Sequence, residues 1–209
     1  MALARLSVLK DHLKISGAGN DDTLKLRIKM ATELAQTITN RTQLERPSSA
    51  QAEFYSPSDI LTDRLYLRNK DIVSVSEVLE QFDIDGGDRV IASGDYTVFN
   101  DEGYIRFNKD STDPGLGRMK ITYTAGFDTT GWDTDAITTT FGVPEDLEYA
   151  VVVLSSKIWM DSKGGDGRLG LTAKARNGES ITLAVPGGRG RFPDEAIYIL
   201  DHYRIPVML

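Results

Sequence analysis

Apolar positions in the first forty residues recur every three or four places. Leu6, Leu9 and Leu13 fall on one helical face before Ser16-Gly17-Ala18-Gly19 interrupts it. Leu24, Ile28, Ala31, Ala35 and Ile38 then form an i, i+4, i+7, i+11, i+14 stripe. Asn20, Asp21 and Asp22 stand where they can cap this second helix and place negative charge at its positive end. The pattern predicts helices over about 5–14 and 21–40, with Lys25, Arg27 and Lys29 on the wet side. Asn40-Arg41-Thr42 matches a glycosylation acceptor but reads as an ordinary helix end.

Residues 42–62 lose periodicity, and after them the period changes to two. Pro47-Ser48-Ser49 and Ser56-Pro57-Ser58 punctuate the change, with a short extended piece near Ala52–Tyr55. Leu65 and Leu67 alternate with Tyr66 and Arg68, and Val73 and Val75 alternate with Ser74 and Ser76. Tyr96-Thr97-Val98-Phe99 and Tyr104-Ile105-Arg106-Phe107 flank Asn100-Asp101-Glu102-Gly103, the signature of a hairpin with a four-residue loop. Met119, Ile121 and Tyr123 alternate with Lys120, Thr122 and Thr124, so that strand is half buried.

After a polar loop, Pro144-Glu145-Asp146 opens a third helix, about 144–163. Leu147, Ala150, Val151, Leu154 and Ile158 line one side, while Val152, Val153, Trp159 and Met160 make the other apolar too. Such a helix is central or sandwiched between subunits. Residues 164–191 hold 8 of the chain's 19 glycines, with Ile181, Leu183 and Val185 alternating as a strand (180–185) that has no neighbour in sequence to pair with. Pro193-Asp194-Glu195 opens a last short helix, about 193–203. The expected fold class is α+β: a small helical bundle with an antiparallel β-meander insertion and a Gly-rich C-terminal arm ending in a short helix. In domain terms, residues 1–163 form a helical core containing a β-rich insertion at about 43–127, and 164–209 form the arm.

Composition narrows the function classes. A chain of 209 residues, 40% apolar and 26% charged, suits one globular domain with a substantial arm. It has no cysteine, which removes disulfides, thiol catalysis and thiolate metal sites together. No run approaches the ~20 apolar residues of a membrane helix, and the N-terminal residues lack a signal-peptide pattern. The net charge of −7 is unevenly placed: residues 77–148 carry 5 basic and 16 acidic groups, against 11 and 9 in residues 1–76 and 8 and 6 in residues 157–209. An acidic middle repels phosphates and argues against a nucleic-acid groove there. It suits a solvated face, or an acidic surface stacked on a basic end of another subunit.

Candidate chemistry is sparse. The two histidines, His12 and His202, lie near opposite ends, with no G-x-S-x-G elbow to suggest a triad and too few ligands for zinc. Gly165-Asp166-Gly167-Arg168-Leu169-Gly170 matches G-x-G-x-x-G, but a helix precedes it where the dinucleotide motif needs a strand, so it reads as linker. Asp83-Ile84-Asp85-Gly86-Gly87-Asp88 has Gly94 where a calcium loop needs a bidentate Glu and reads as a turn. Asp128, Asp133 and Asp135 read as polar loop. Trp132 is the aromatic placed for surface binding, and Trp159 reads as core. No catalytic residue, cofactor or metal is expected.

Two stretches resemble a known family. Leu9-Lys10-Asp11-His12-Leu13-Lys14-Ile15 with the helix ending Thr37-Ile38-Thr39-Asn40-Arg41-Thr42, and Ile121-Thr122-Tyr123-Thr124-Ala125-Gly126-Phe127 followed by Val143-Pro144-Glu145-Asp146-Leu147 and Ala150, resemble phage head–tail connector (adaptor, head-completion) proteins. They cover roughly residues 5–42 and 118–163; the β insertion and the arm are longer than in minimal members. The resemblance implies a structural, non-catalytic virion protein: a homo-oligomeric ring, usually a dodecamer, under the portal protein and next to a stopper or tail-completion protein. DNA is only passing cargo, no membrane is involved, and the location is the virion head–tail junction, with assembly in the host cytoplasm. Alternatives are another virion assembly protein (tail completion or head decoration), or a carbohydrate-binding module or hydrolase on the β region. The arm supplies the expected contacts with neighbouring subunits or portal: Arg168, Lys174, Arg176, Ile181, Leu183, Val185, Arg189, Arg191, Phe192 and Tyr203. Its arginines and lysine suit an acidic partner surface.

Overall fold

The computed structural model describes residues 2–61, 63–81, 87–108, 118–134, 142–163, 173–176, 179–182 and 192–205, with the backbone alone at Leu61, Lys163 and within 173–182. The chain divides into a helical unit, residues 1–40 and 129–209, and a β unit, residues 41–128.

The helical unit holds α1 (Leu6–Leu13), α2 (Asp21–Thr39), α3 (Glu145–Lys163) and α4 (Asp194–His202). The predicted stripes are the buried ones: Leu6 and Leu9 on α1, and Leu24, Ile28, Ala31 and Ala35 on α2. α1 and α2 end at Lys14 and Asn40, both left-handed at φ 54° and 53°, a conformation that asparagine tolerates better than most residues. Asn20 makes no side-chain cap on α2. Asp21 instead pairs with Lys10 of α1 at 3.0 Å, tying the two helices together.

α3 occupies the centre of its unit, packed by α1, α2 and α4. Leu147, Ala150, Val151, Val152 and Leu154 are buried, which accounts for a helix apolar on nearly every side. Its two buried serines return their hydroxyls to the helix backbone, Ser155 to Val151 O at 2.7 Å and Ser156 to Val153 O at 2.8 Å. Both polar groups are thereby satisfied inside the bundle. Among the described residues no helix is long and apolar enough to cross a membrane.

The β unit contains β1 (Gln51–Tyr55), β2 (Ile60–Leu61), β3 (Arg64–Tyr66), β4 (Ile72–Gln81), β5 (Arg89–Val90), β6 (Tyr96–Phe99), β7 (Tyr104–Phe107) and β8 (Arg118–Ala125). Every pairing between these named strands is antiparallel, in two four-stranded sheets ordered β1-β8-β4-β5 and β2-β3-β7-β6. One apolar core draws on both sheets: Tyr55, Val78, Met119, Ile121 and Tyr123 from the first, and Leu65, Ile105 and Phe107 from the second. β6 and β7 close over Asn100–Gly103, with Phe99 opposite Tyr104.

Two glycines are fixed by close approach. A Cβ on Gly126, at φ +100°, would sit 2.8 Å from the Glu45 carbonyl carbon. There the 44–46 segment bonds to Phe127, Phe127 N to Leu44 O at 2.9 Å and Arg46 N to Phe127 O at 2.8 Å. Gly103, at φ +73°, would meet Lys70 Cγ at 2.8 Å. Only glycine fits both the angle and the space.

Simple alternation fails on β4. Val73 is 47% exposed although the sequence pattern pairs it with Val75, and the core residues are Ile72 and Val78. The register with β8 shifts twice, between Ile72 and Ser74 and between Val75 and Glu77. Each extra residue turns the following side chains to the other face.

The arm also corrects an expectation. The strand predicted at 180–185 is not alone: β9 (Ala173–Arg176) and β10 (Glu179–Thr182) pair as an antiparallel hairpin, Arg176 opposite Glu179 and Ile181 opposite Lys174. Its ladder groups on one side are met within the arm, so the missing-neighbour argument for pairing with another chain falls. β9 escapes a search for alternation because Ala173-Lys174-Ala175-Arg176 has no large apolar residue.

Candidate assembly surfaces

Residues 194–205 are built into the helical unit. Ala196 and Leu200 of α4 are fully buried. Tyr203 donates its hydroxyl to Asp146 Oδ1 at 2.6 Å, in the first turn of α3. Beyond it, Arg204 Nε bonds Ile38 O at 3.1 Å and Ile205 N bonds Thr39 O at 2.9 Å. These donors meet carbonyls that the C-terminal turn of α2 leaves open, and the guanidinium stands at the negative end of the helix dipole. Of the sequence candidates, Tyr203 thus makes a contact within its own unit. Phe192 is partly buried and lines a concavity of about 400 Å³ with Arg27, Met30 and Leu34 of α2 and Lys157 and Ile158 of α3. Lys174, Arg176 and Ile181 lie on the β9–β10 hairpin. Arg168, Leu183, Val185, Arg189 and Arg191 fall outside the described residues, as do all of Gly165–Gly170 and residues 83–86 of the Asp83–Asp88 stretch.

Trp132, expected to be free for binding, is half buried; its carbonyl accepts from Leu6 N at 2.8 Å and Lys29 Nζ stands 5.4 Å from its ring centroid. His202 Nδ1 lies 2.9 Å from Tyr198 O, with its ring edge-on to Tyr198. Trp159 is buried, as its sequence context suggests. Among the described residues no three His, Asp or Glu side chains gather as a metal site.

Two surfaces escape a reading based on the basic residues and strand of the arm. On the β2-β3-β7-β6 sheet, alternation sends Leu65, Ile105 and Phe107 inward and leaves Arg64, Tyr66, Phe99, Tyr104 and Arg106 on the outer face. Phe99 and Tyr104 stack with centroids 4.4 Å apart, Tyr66 leans on Tyr104 at 5.2 Å, and the Arg64 guanidinium lies 5.4 Å from the Tyr104 ring. Arg64 and Arg106 share one carboxylate, that of Asp63, at 3.8 and 3.0 Å, so the face keeps an excess positive charge. Tyr and Arg are residue types enriched in interface hot spots. The second surface is the outer face of α4, where Asp194, Glu195 and Asp201 flank Tyr198, itself 70% exposed. Tyr149 of α3 adjoins it, its phenol hydrogen-bonded to Glu195, whose charge raises the tyrosine pKa. The signal for both was in the sequence, at the outward positions of strands and helix chosen by their inward ones.

Inside the β unit, Glu53 of β1 is opposite Ile121 and so faces the core. It accepts hydrogen bonds from the hydroxyls of Tyr55 and Tyr123, the latter at 2.8 Å. Asn69 Nδ2 reaches the second carboxylate oxygen at 3.4 Å, and Asn69 Oδ1 accepts from Thr42 Oγ1 at 3.0 Å and Gln43 N at 3.1 Å. Burial, reinforced by the neighbouring carboxylate, pushes both phenol pKa values well above the usual tyrosine range. This network fixes loops and strands; its groups are committed to one another.

No protein-family model matches the sequence, and no curated protein does. Solved structures do. A chain in the neck of an empty gene transfer agent (GTA) particle, computed with C6 symmetry, superposes with a TM-score of 0.58 at 17% identity, covering 99% of this chain and 92% of that one. The chain shares its fold with GTA neck proteins. A chain of the native GTA virion gives 0.59 at 18% identity over 99% and 92%, and one from a native neck computed with C12 symmetry gives 0.55 at 17% over 98% and 90%. The GTA likeness spans the β unit and the arm as well as the helices, well beyond the two stretches that carry the sequence resemblance.

Proposed function

We propose that this chain is a structural head–tail connector that forms a homo-oligomeric ring under a portal protein and bridges the capsid to the tail. The observation that carries the reading is the fold likeness to GTA neck chains over 99% of this sequence. The neck of the empty GTA particle is computed with C6 symmetry and that of the native particle with C12, orders that suit a ring of twelve. The chain acts without cofactor or catalysis, at the head–tail junction of a virion, after assembly in the host cytoplasm; its other neighbour is a stopper or tail-completion protein, and DNA passes without being held. Arm residues Lys174, Arg176 and Ile181 are assigned to contacts with portal or neighbouring subunits.

Electron microscopy of the purified protein mixed with its cognate portal tests the proposal. The expected image is an added ring, with the portal's rotational order, at one end of the portal. Binding to tail tube or capsid shell in place of portal would overturn it in favour of tail completion or decoration.

A further inference from the structure

Among the described residues of its own unit, nothing covers the outer face of the β2-β3-β7-β6 sheet, and that face has a particular chemistry. It is aromatic and basic, on a β unit that carries, in all, ten basic and sixteen acidic residues between 41 and 128. That overall charge disfavours a nucleic-acid occupant, which would be repelled by the surrounding carboxylates. The chemistry that fits is an acidic protein surface able to pack against aromatic rings. This chain itself carries one, on the outer face of α4: Asp194, Glu195 and Asp201 around an exposed Tyr198, with Asp201 half exposed while it pairs with Arg204 at 3.4 Å. Within their own units neither patch has a covering element among the described residues.

Resting on the ring reading above, we infer that Arg64, Arg106 and their aromatic neighbours on one copy dock on the Glu195–Tyr198–Asp201 face of α4 on the next copy. The contact is between molecules and uses two different patches, which is the head-to-tail form that generates cyclic rings. The Arg64 and Arg106 side chains are 48% and 54% exposed, so both remain open to a partner while Asp63 holds their positions. Opposed charges set the register, and the tyrosines, with phenylalanine beside them, supply area to bury at low entropic cost.

Two charge reversals test the inference. One variant carries Arg64→Glu with Arg106→Glu; the other carries Glu195→Lys with Asp201→Lys. All four side chains are exposed, and circular dichroism with thermal melting checks that each variant is folded; Arg64→Ala with Arg106→Ala replaces the first if it is not, and is then read alone for loss of assembly, without the mixture. Sedimentation velocity and negative-stain imaging, alone and with portal, measure assembly. Each reversal alone opposes like charges at every contact, and ring formation is expected to fall at least tenfold. An equal mixture of the two restores opposite charges at every contact of an alternating ring, so assembly is expected to return. Wild-type assembly by either reversal, or a mixture that fails to recover while both variants are folded, overturns this contact and leaves the connector reading standing. If the wild-type protein makes no ring, alone or on portal, both fall.

Discussion

Two inward-facing acids, Glu148 in the helical unit and Glu53 in the β unit, are stabilised by opposite means; a further buried acid of the β unit, Glu80, lies 3.6 Å from Arg89. In the helical unit Glu148 of α3 is buried against Arg5, whose Nε and Nη2 bond its two oxygens at 2.9 and 2.7 Å while the Arg5 backbone N adds a third bond at 2.9 Å. The acid is matched by a charge, and the bond to Glu148 raises the guanidinium pKa further. In the β unit Glu53 is met by neutral donors, two phenols and an amide. The helical pair joins the chain's N-terminal segment to a helix some 140 residues away, where a bidentate charged contact fixes both distance and direction. The β network sits within strands whose ladder already fixes their positions, and it orients the loops at Thr42–Gln43 and Arg68–Asn69.

Breaking the charged pair should produce the larger effect. Glu148→Ala leaves Arg5 without its carboxylate at a mostly buried site, which costs about 3 kcal/mol when one partner of such a pair is removed. Chemical denaturation followed by circular dichroism at helical wavelengths reads it. A loss below ~1 kcal/mol would mean that Arg5 finds water or another acid, and the contrast with Glu53 would collapse.

The same contrast explains what the sequence made legible. The α2 stripe at Leu24, Ile28, Ala31 and Ala35 is buried as read, because a helix repeats one geometry and has nowhere to insert a residue. The β6–β7 hairpin was equally plain, since Asn100–Gly103 ends in the positive φ that the turn needs. β4 was not, because its two register shifts leave no mark in a string of Val and Ser. Neither acid was singled out: Glu148 lies among Glu145 and Asp146, and Glu53 among polar residues of β1, so only long-range folding distinguishes them from surface charge. The candidate surfaces divide in the same way. Arm arginines stood out because they cluster in sequence, while Arg64 and Arg106 are brought opposite one another by the β3–β7 register.

The neutral network should respond to a subtler change. Tyr123→Phe removes one donor from Glu53 and leaves the Tyr55 hydroxyl in place, for a loss of about 1–2 kcal/mol. Urea unfolding measures it, and an unchanged midpoint would make the network incidental. The network also predicts a response to alkali. Both phenol pKa values are raised on folding, so the folded state holds these protons more tightly than the unfolded one. Their contribution is complete below the unfolded value of ~10 and is lost as pH rises above it. Absorbance of phenolate should show Tyr55 and Tyr123 ionising only together with loss of β structure.

The smallest effect belongs to an acid that faces outward on the same sheet. Glu77 accepts from Lys120 Nζ at 2.9 Å and Thr122 Oγ1 at 3.3 Å across the β4–β8 ladder. Its pKa is lowered, chiefly by the hydrogen bond from Lys120 and then by that residue's charge. A lowered value means that the folded state binds the proton less tightly, so any stabilisation is present above the unfolded value of ~4.3 and is lost as pH falls through the folded one. Water competes for both partners at this surface, and salt screens them. Glu77→Gln is therefore expected to leave the unfolding midpoint at pH 7 almost unchanged and to flatten the acid limb of the stability profile slightly, less so in high salt. A loss at pH 7 as large as that of Tyr123→Phe would show that facing inward is not what separates the acids that matter to this fold from those that do not.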